Sequence, residues 1–130
     1  MAEQSGPANP QEWLRRAGSN LQRARADTAP EGVYLEDLCF DAHQAAEKAI
    51  KAVLIHRDVS FPFVHDLVAL LGELQADGLE IPVEIREAGR LNRFAVAARY
   101  PGTMEPVSAQ EHQAALSIAS TVVDWAERQL

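Results

Sequence analysis

The sequence predicts an all-α fold: an antiparallel up-and-down bundle of four long helices with one short extra helix. Three observations carry this. Apolar and small residues recur at spacings of three and four in each segment between loops, the stripe of a helix with one buried face. No segment alternates polar and apolar residues with the period of two that a half-buried strand requires. The connections are short, which makes successive helices neighbours. Much of the 47% hydrophobic content is alanine, and small residues on a stripe let helices approach closely.

Residues 1–8 are small and polar and are expected to form a disordered tail, leaving residues 9–130 as a single helical domain. The first helix opens with Asn9 as cap, Pro10 at the first helical position and Glu12 three residues after the cap. Leu14, Ala17, Leu21 and Ala24 are its stripe, with Trp13 beside it, and Arg15, Arg16, Arg23 and Arg25 read as a solvated face. Gly18 inside this helix is expected to mark a close contact with another helix. After the loop DTAPEG comes Tyr34 to Arg57, the longest periodic segment, with no Gly or Pro. Leu35, Leu38, Ala42, Ala45, Ala49, Ile50 and Val53 form its stripe, and Asp37, Asp41, Gln44, Lys48 and Lys51 its polar side.

His65-Asp66 opens a third helix, striped by Leu67, Leu70, Leu71 and Leu74 and stopped by Gly78. A fourth begins at Pro82, with Ile85, Ala88, Leu91, Ala95 and Ala98 on one face. Arg86, Arg90 and Arg93 fall opposite, held by Glu84 and Glu87, while Asn92 and Arg99 project toward the apolar side. A guanidinium placed there needs a partner. Tyr100-Pro101-Gly102 ends this helix. Ser108 and Glu111 form a capping box for the last one, striped by Ala115, Ile118, Ala119, Val122, Trp125 and Ala126, with His112 at its mouth.

Composition narrows the function classes. A net charge of −7 argues against a broad nucleic-acid-binding surface, although a local basic pocket is compatible with it. Cys39 is the single cysteine, so no internal disulfide forms, and mid-helix it reads as a packed thiol. No basic start with an apolar run marks a signal peptide, and no segment reaches the roughly 20 apolar residues of a membrane span. The expected location is cytoplasmic. Phosphate loops, nucleophile elbows and paired metal-binding histidines are absent from the sequence, and no cofactor is called for. His43 and Glu47, four apart, make half a metal site at most; a surface hydrogen-bonded pair is the plainer expectation, and no metal ligand set is assigned.

The best constellation is long-range. Lys48 and Lys51 are the only lysines; His65 and Asp66 stand at a helix start, Arg99 and Tyr100 at a helix end. Ammonium and guanidinium groups with free N–H groups of a helix start suit an anion such as phosphate. Gln44, Glu47 and Asn92 are the supporting polar residues.

LCFDAHQAAEKAIKAVLIHRDVSFPFVHDL followed by LNRFAVAARYPG resembles the HEPN (higher eukaryotes and prokaryotes nucleotide-binding) domain family. Cys39-Phe40, Gln44 to Ala49, Lys51, His65-Asp66-Leu67 and Arg99-Tyr100-Pro101 match its pattern; His43 replaces the first Gln of the usual pair, Phe94 a common Tyr and Asn20 an Asp. The resemblance implies a helical bundle, commonly a homodimer, associated with nucleotide binding and with nucleotidyltransferase partners, often as toxin–antitoxin pairs. Many members are metal-independent endoribonucleases with an R-x4–6-H motif. Here Arg99 has no histidine before His112, and Arg57 and His65 are separated by seven residues. The resemblance therefore implies a non-catalytic module that binds a nucleotide or docks a nucleotidyltransferase-type partner. An endoribonuclease toxin, its histidine supplied by a dimer mate, is the alternative.

Overall fold

The computed structural model of the protein describes residues 9–25, 32–97 and 106–130. Those residues form α1 (Pro10–Arg25), α2 (Leu35–His56), α3 (Leu67–Ala76), α4 (Val83–Arg86), a 3-10 segment (Glu87–Leu91), α5 (Asn92–Ala97) and α6 (Ala109–Gln129). No strand occurs among them.

The long helix α2 is the axis of the molecule: α1, α3, the 3-10 segment, α5 and α6 all pack on it. Its alanines explain how so many neighbours fit. Ala42, Ala45, Ala46, Ala49 and Ala52 are fully buried, and a methyl group at each lets a backbone come close on several sides. Ile50, Val53 and Leu54 fill the remaining volume, with Leu67, Leu70 and Leu74 from α3 and Ala119, Val122 and Trp125 from α6. The polar side expected of α2 is largely covered as well: Asp41, His43, Glu47 and Lys51 are buried and Gln44 and Lys48 partly buried, leaving only Asp37, in the first turn, exposed among them. A helix buried nearly all round has no wet face, so its polar groups must find partners inside.

Local chemistry sets the helix ends. Asn9 Oδ1 accepts from the Gln11 N–H at 2.9 Å, and the Ser108–Glu111 capping box is complete. Glu111 is held at a pKa of about 2 by the Ser108 backbone N–H and by Arg93. Helices α2 and α3 end in the same motif. Val59 N–H reaches Leu54 O and Asp58 N–H reaches Ile55 O; Leu79 N–H reaches Leu74 O and Gly78 N–H reaches Gln75 O. The left-handed residue is Gly78 in one (φ 96°) and Asp58 in the other (φ 58°).

Three expectations are corrected. The fourth helix is interrupted, because the chain tightens into the 3-10 segment where Gly89 passes α3; a Cβ on Gly89 would stand 2.8 Å from Val68 Cγ2. Gly18 marks no close contact, since a Cβ there would meet nothing within 4 Å. The arginines of the fourth helix are exposed but are not all held by their own neighbours. Arg90 pairs with Glu87 at 3.1 Å, Arg93 with Glu111 at 2.8 Å, and Arg86 Nε donates to Ile81 O at 3.2 Å. Ala98, like Arg99 and Tyr100, lies outside the described residues.

After α2 the chain doubles back. His65 stands beside Glu47 and Asp77 beside Arg57, so α3 runs alongside α2 in the same sense. Residues 59–66 are therefore laid along α2, and they deliver His65 to its middle.

Candidate functional site

Two polar clusters grow from one stretch of α2, and they are separate. The first centres on Glu47, whose side chain is only 5% exposed. Its Oε2 accepts from Lys51 Nζ at 2.8 Å and its Oε1 from His65 Nδ1 at 2.9 Å. Burial opposes ionisation of Glu47, but the bonds from Lys51 and His65 outweigh it and hold the carboxyl below its usual range. The Lys51 ammonium lies 5.7 Å from the Trp13 ring centroid and 5.8 Å from that of Phe61, so aromatic faces replace much of its water.

His43, fully buried, completes this cluster. Its Nε2 donates to His65 O at 2.9 Å, which fixes the return of the chain. Its Nδ1 faces Glu47 Oε1 at 3.9 Å and accepts from Gln44 Nε2 at 3.4 Å. Burial, against the pull of Glu47, depresses the His43 pKa. The pair expected at the surface is thus an interior one, and Glu47 is already engaged by two stronger donors. Among the described residues no group of three or more His, Cys, Asp and Glu side chains could hold a metal ion.

The second cluster faces α1. Lys48 Nζ donates to Asn20 Oδ1 at 2.6 Å, and Asn20 Nδ2 donates to Asp41 Oδ1 at 3.0 Å. Arg23 reaches the same carboxylate oxygen at 3.2 Å. Lys48 itself has no carboxylate at ion-pair distance among the described residues. Desolvation, then the nearby Arg16 and Arg23, lower its pKa. Lys48 therefore does not share the Glu47–His65 edge with Lys51, as its spacing suggested.

The start of α3 is closed by its own side chains. Asp66 Oδ1 accepts from the Val68 and Ala69 N–H groups, while Asn92 Oδ1 accepts from the Leu67 N–H at 3.0 Å and Asn92 Nδ2 donates to Asp66 at 2.9 Å. Those three N–H groups, expected to face an anion, already have acceptors. Asn92 does project inward, and its role is to tie α5 to α3.

Among the described residues, the arginine and histidines that a ribonuclease motif would use are engaged separately. Arg57 is clasped to Asp77 at 2.8 Å, and His112, buried, donates to Ala24 O at 2.6 Å. Of His65, only Nδ1 bonds within the described residues; the ring is half-exposed. Cys39 is buried, and burial pushes its thiol up to about 11. Elsewhere, a cavity of about 310 Å³ opens between the 3-10 segment, α5 and α6, where Arg93 stacks 4.5 Å from the Phe94 ring; it is lined by none of the described candidate anion-site residues.

Sequence reasoning missed Asn20, Asp41 and the arginines of α1 as members of these clusters, and it set the pair of His43 and Glu47 at the surface. Asn20 carried a signal: an amide between Ala17, Leu21 and Ala24 stands on the buried side of α1 and needs a partner there.

The chain was compared with known proteins. It superposes on the crystal structure of an archaeal HEPN homologue with a TM-score of 0.71 and 25% identity, over 93% of this chain and 97% of that one. A comparison with curated proteins gave no match. No described helix is long and apolar enough to cross a membrane. The sequence model of the HEPN domain matches residues 10–129, and the chain belongs to the HEPN domain family.

Proposed function

We propose that this HEPN chain acts by binding a nucleotide, without catalysing a reaction, as a cytoplasmic module that works as a homodimer. Lys48 is the observation that carries it. A half-buried ammonium held by an amide, with two guanidiniums nearby and no carboxylate of its own, is a standing invitation to an anion. Lys51, His65 and Asp66, with Gln44, Glu47 and Asn92, close on one another beside the site and serve it by holding α2 and α3 in place. Arg99 and Tyr100 are proposed as a further phosphate contact and a base-stacking ring. The engagement of Arg57 by Asp77 and of His112 by Ala24 supports binding over RNA cleavage.

Thermal shift with ATP and GTP tests the reading: ligand at a hundred times its Kd adds about 2.7 kcal/mol of stability. No shift at millimolar nucleotide would overturn it. Cleavage of RNA by the wild type, lost in Arg99→Ala, would establish the endoribonuclease alternative instead.

Docking of a nucleotidyltransferase-type partner, as in toxin–antitoxin pairs, is a second reading. Phe63, fully exposed on the segment that delivers His65, favours it. Phe63→Ser would weaken such a complex without altering nucleotide binding.

A further inference from the structure

We propose that Arg16, Arg23 and Lys48 form the subsite that takes the polyphosphate of the nucleotide, on the face where α1 packs against α2. The proposal rests on the nucleotide reading above and gives it a place. Helix geometry supplies the first support. Arg16, Asn20 and Arg23 are spaced four and three apart on α1, so they share one face, and the Cα atoms of the two arginines are separated by about 10 Å along the axis. Lys48 enters that face from α2 between them, its ammonium fixed on Asn20 at 2.6 Å. Asn20 is itself buried and anchored by Asp41. The cation is thus positioned before any ligand arrives.

Charge supplies the second. In the ion pairs and hydrogen bonds of this face, four cations, Arg15, Arg16, Arg23 and Lys48, meet two carboxylates, Glu12 and Asp41, with exposed Asp37 one turn before Asp41 on α2, on a chain whose net charge is −7. Each carboxylate is divided between donors: Glu12 between Arg15 and Arg16, Asp41 between Arg23 and Asn20. Glu47, also within electrostatic reach of Lys48, is occupied by Lys51 and His65. Arg16 and Arg23 are 67% and 69% exposed, so their ion pairs with Glu12 and Asp41 face water and can exchange for an incoming phosphate.

The contrast between the two lysines is the third. The chain has two, and Lys51 is fully compensated by Glu47. Burial and two guanidiniums work against the charge of Lys48, and the more distant Glu47 and Asp41 offset them only in part. An arrangement that costs the free protein is relieved by a bound anion.

The test measures binding of ATP, sodium tripolyphosphate and adenosine to the full-length wild type, to Arg16→Gln/Arg23→Gln and to Arg90→Gln/Arg93→Gln, by calorimetry. The wild type is expected to bind ATP and tripolyphosphate more weakly as salt rises, and adenosine far more weakly than either. Arg16→Gln/Arg23→Gln is expected to lose about tenfold or more in affinity for both polyphosphates. Arg90→Gln/Arg93→Gln, with the same charge change elsewhere, is expected to bind as the wild type does. All four of these arginines are exposed, and circular dichroism checks that both variants fold. ATP bound equally well by Arg16→Gln/Arg23→Gln and the wild type overturns the subsite while leaving nucleotide binding standing. No ATP binding by the wild type overturns both.

Discussion

Lys48 and Lys51 stand one turn apart on the same helix, yet the protein uses them in opposite ways. Lys51 is buried between Trp13, Phe61 and Glu47, and its charge is cancelled inside the cluster it belongs to. Lys48 is held by a neutral amide at the edge of an arginine-bearing face. What distinguishes them is the covering. The returning segment carries His65 and Phe61, with Trp13 of α1, over one end of the stretch; α1 covers the other with arginines. A closed ion cluster stabilises a fold only if every member is present, whereas an open one leaves capacity for a ligand.

The largest expected effect falls at the closed end. Glu47→Ala orphans the buried Lys51 ammonium and releases His65, and urea denaturation is expected to show a loss of about 3–5 kcal/mol. A loss below about 1 kcal/mol would mean that the cluster is not closed. The same contrast has a pH form. His43 and Glu47 both have pKa values depressed in the folded state, so both favour the native protein at neutral pH. Their support is lost as pH falls, first below the ordinary histidine value of 6.5 and then below the carboxylate value of 4.5, as the unfolded chain takes up protons that the native one resists. His43→Gln is expected to flatten the first limb of a stability–pH curve.

Smaller effects sharpen the boundary. Asp66→Ala removes the cap of α3 and one partner of Asn92, at a cost of about 1–2 kcal/mol in chemical denaturation. On the open side, Gly18→Ala is expected to stabilise by up to about 1 kcal/mol in the same measurement, because nothing lies near its Cβ. The smallest change is at Lys48. Lys48→Gln is expected to leave stability within about 0.5 kcal/mol of wild type, or to raise it, while weakening any anion bound there. A loss as large as that of Glu47→Ala would make Lys48 a member of a second closed cluster.

The helices were legible because their signals are local. Asn9 and Ser108 cap from within a turn, Gly78 stops α3, and the stripe of α3 lands on its buried residues; that of α6 does so except at Ile118, partly buried, and lacks the buried Val123. The interruption of the fourth helix was not legible, because the reason for Gly89 lies in Val68, on another element. The site was half legible. Glu47, Lys51, His65, Asp66 and Asn92 were each singled out and are joined in contact pairs, whereas Lys48 joins Asn20 instead.

The edge of α2 from Gln44 to Lys51 shows where sequence stops. Periodicity along one chain determined that α2 is a helix, which residues form its seam, and that its lysines lie on a common side. Only the tertiary structure decided which charge meets which, because that depends on the path of residues 59–66 and on the register of α1 against α2. Side-chain spacing is a one-dimensional quantity with a reach of about one turn. Hydrogen-bond partners twenty or more residues apart, such as Asn20 with Asp41 or Lys48 with Asn20, are set by packing.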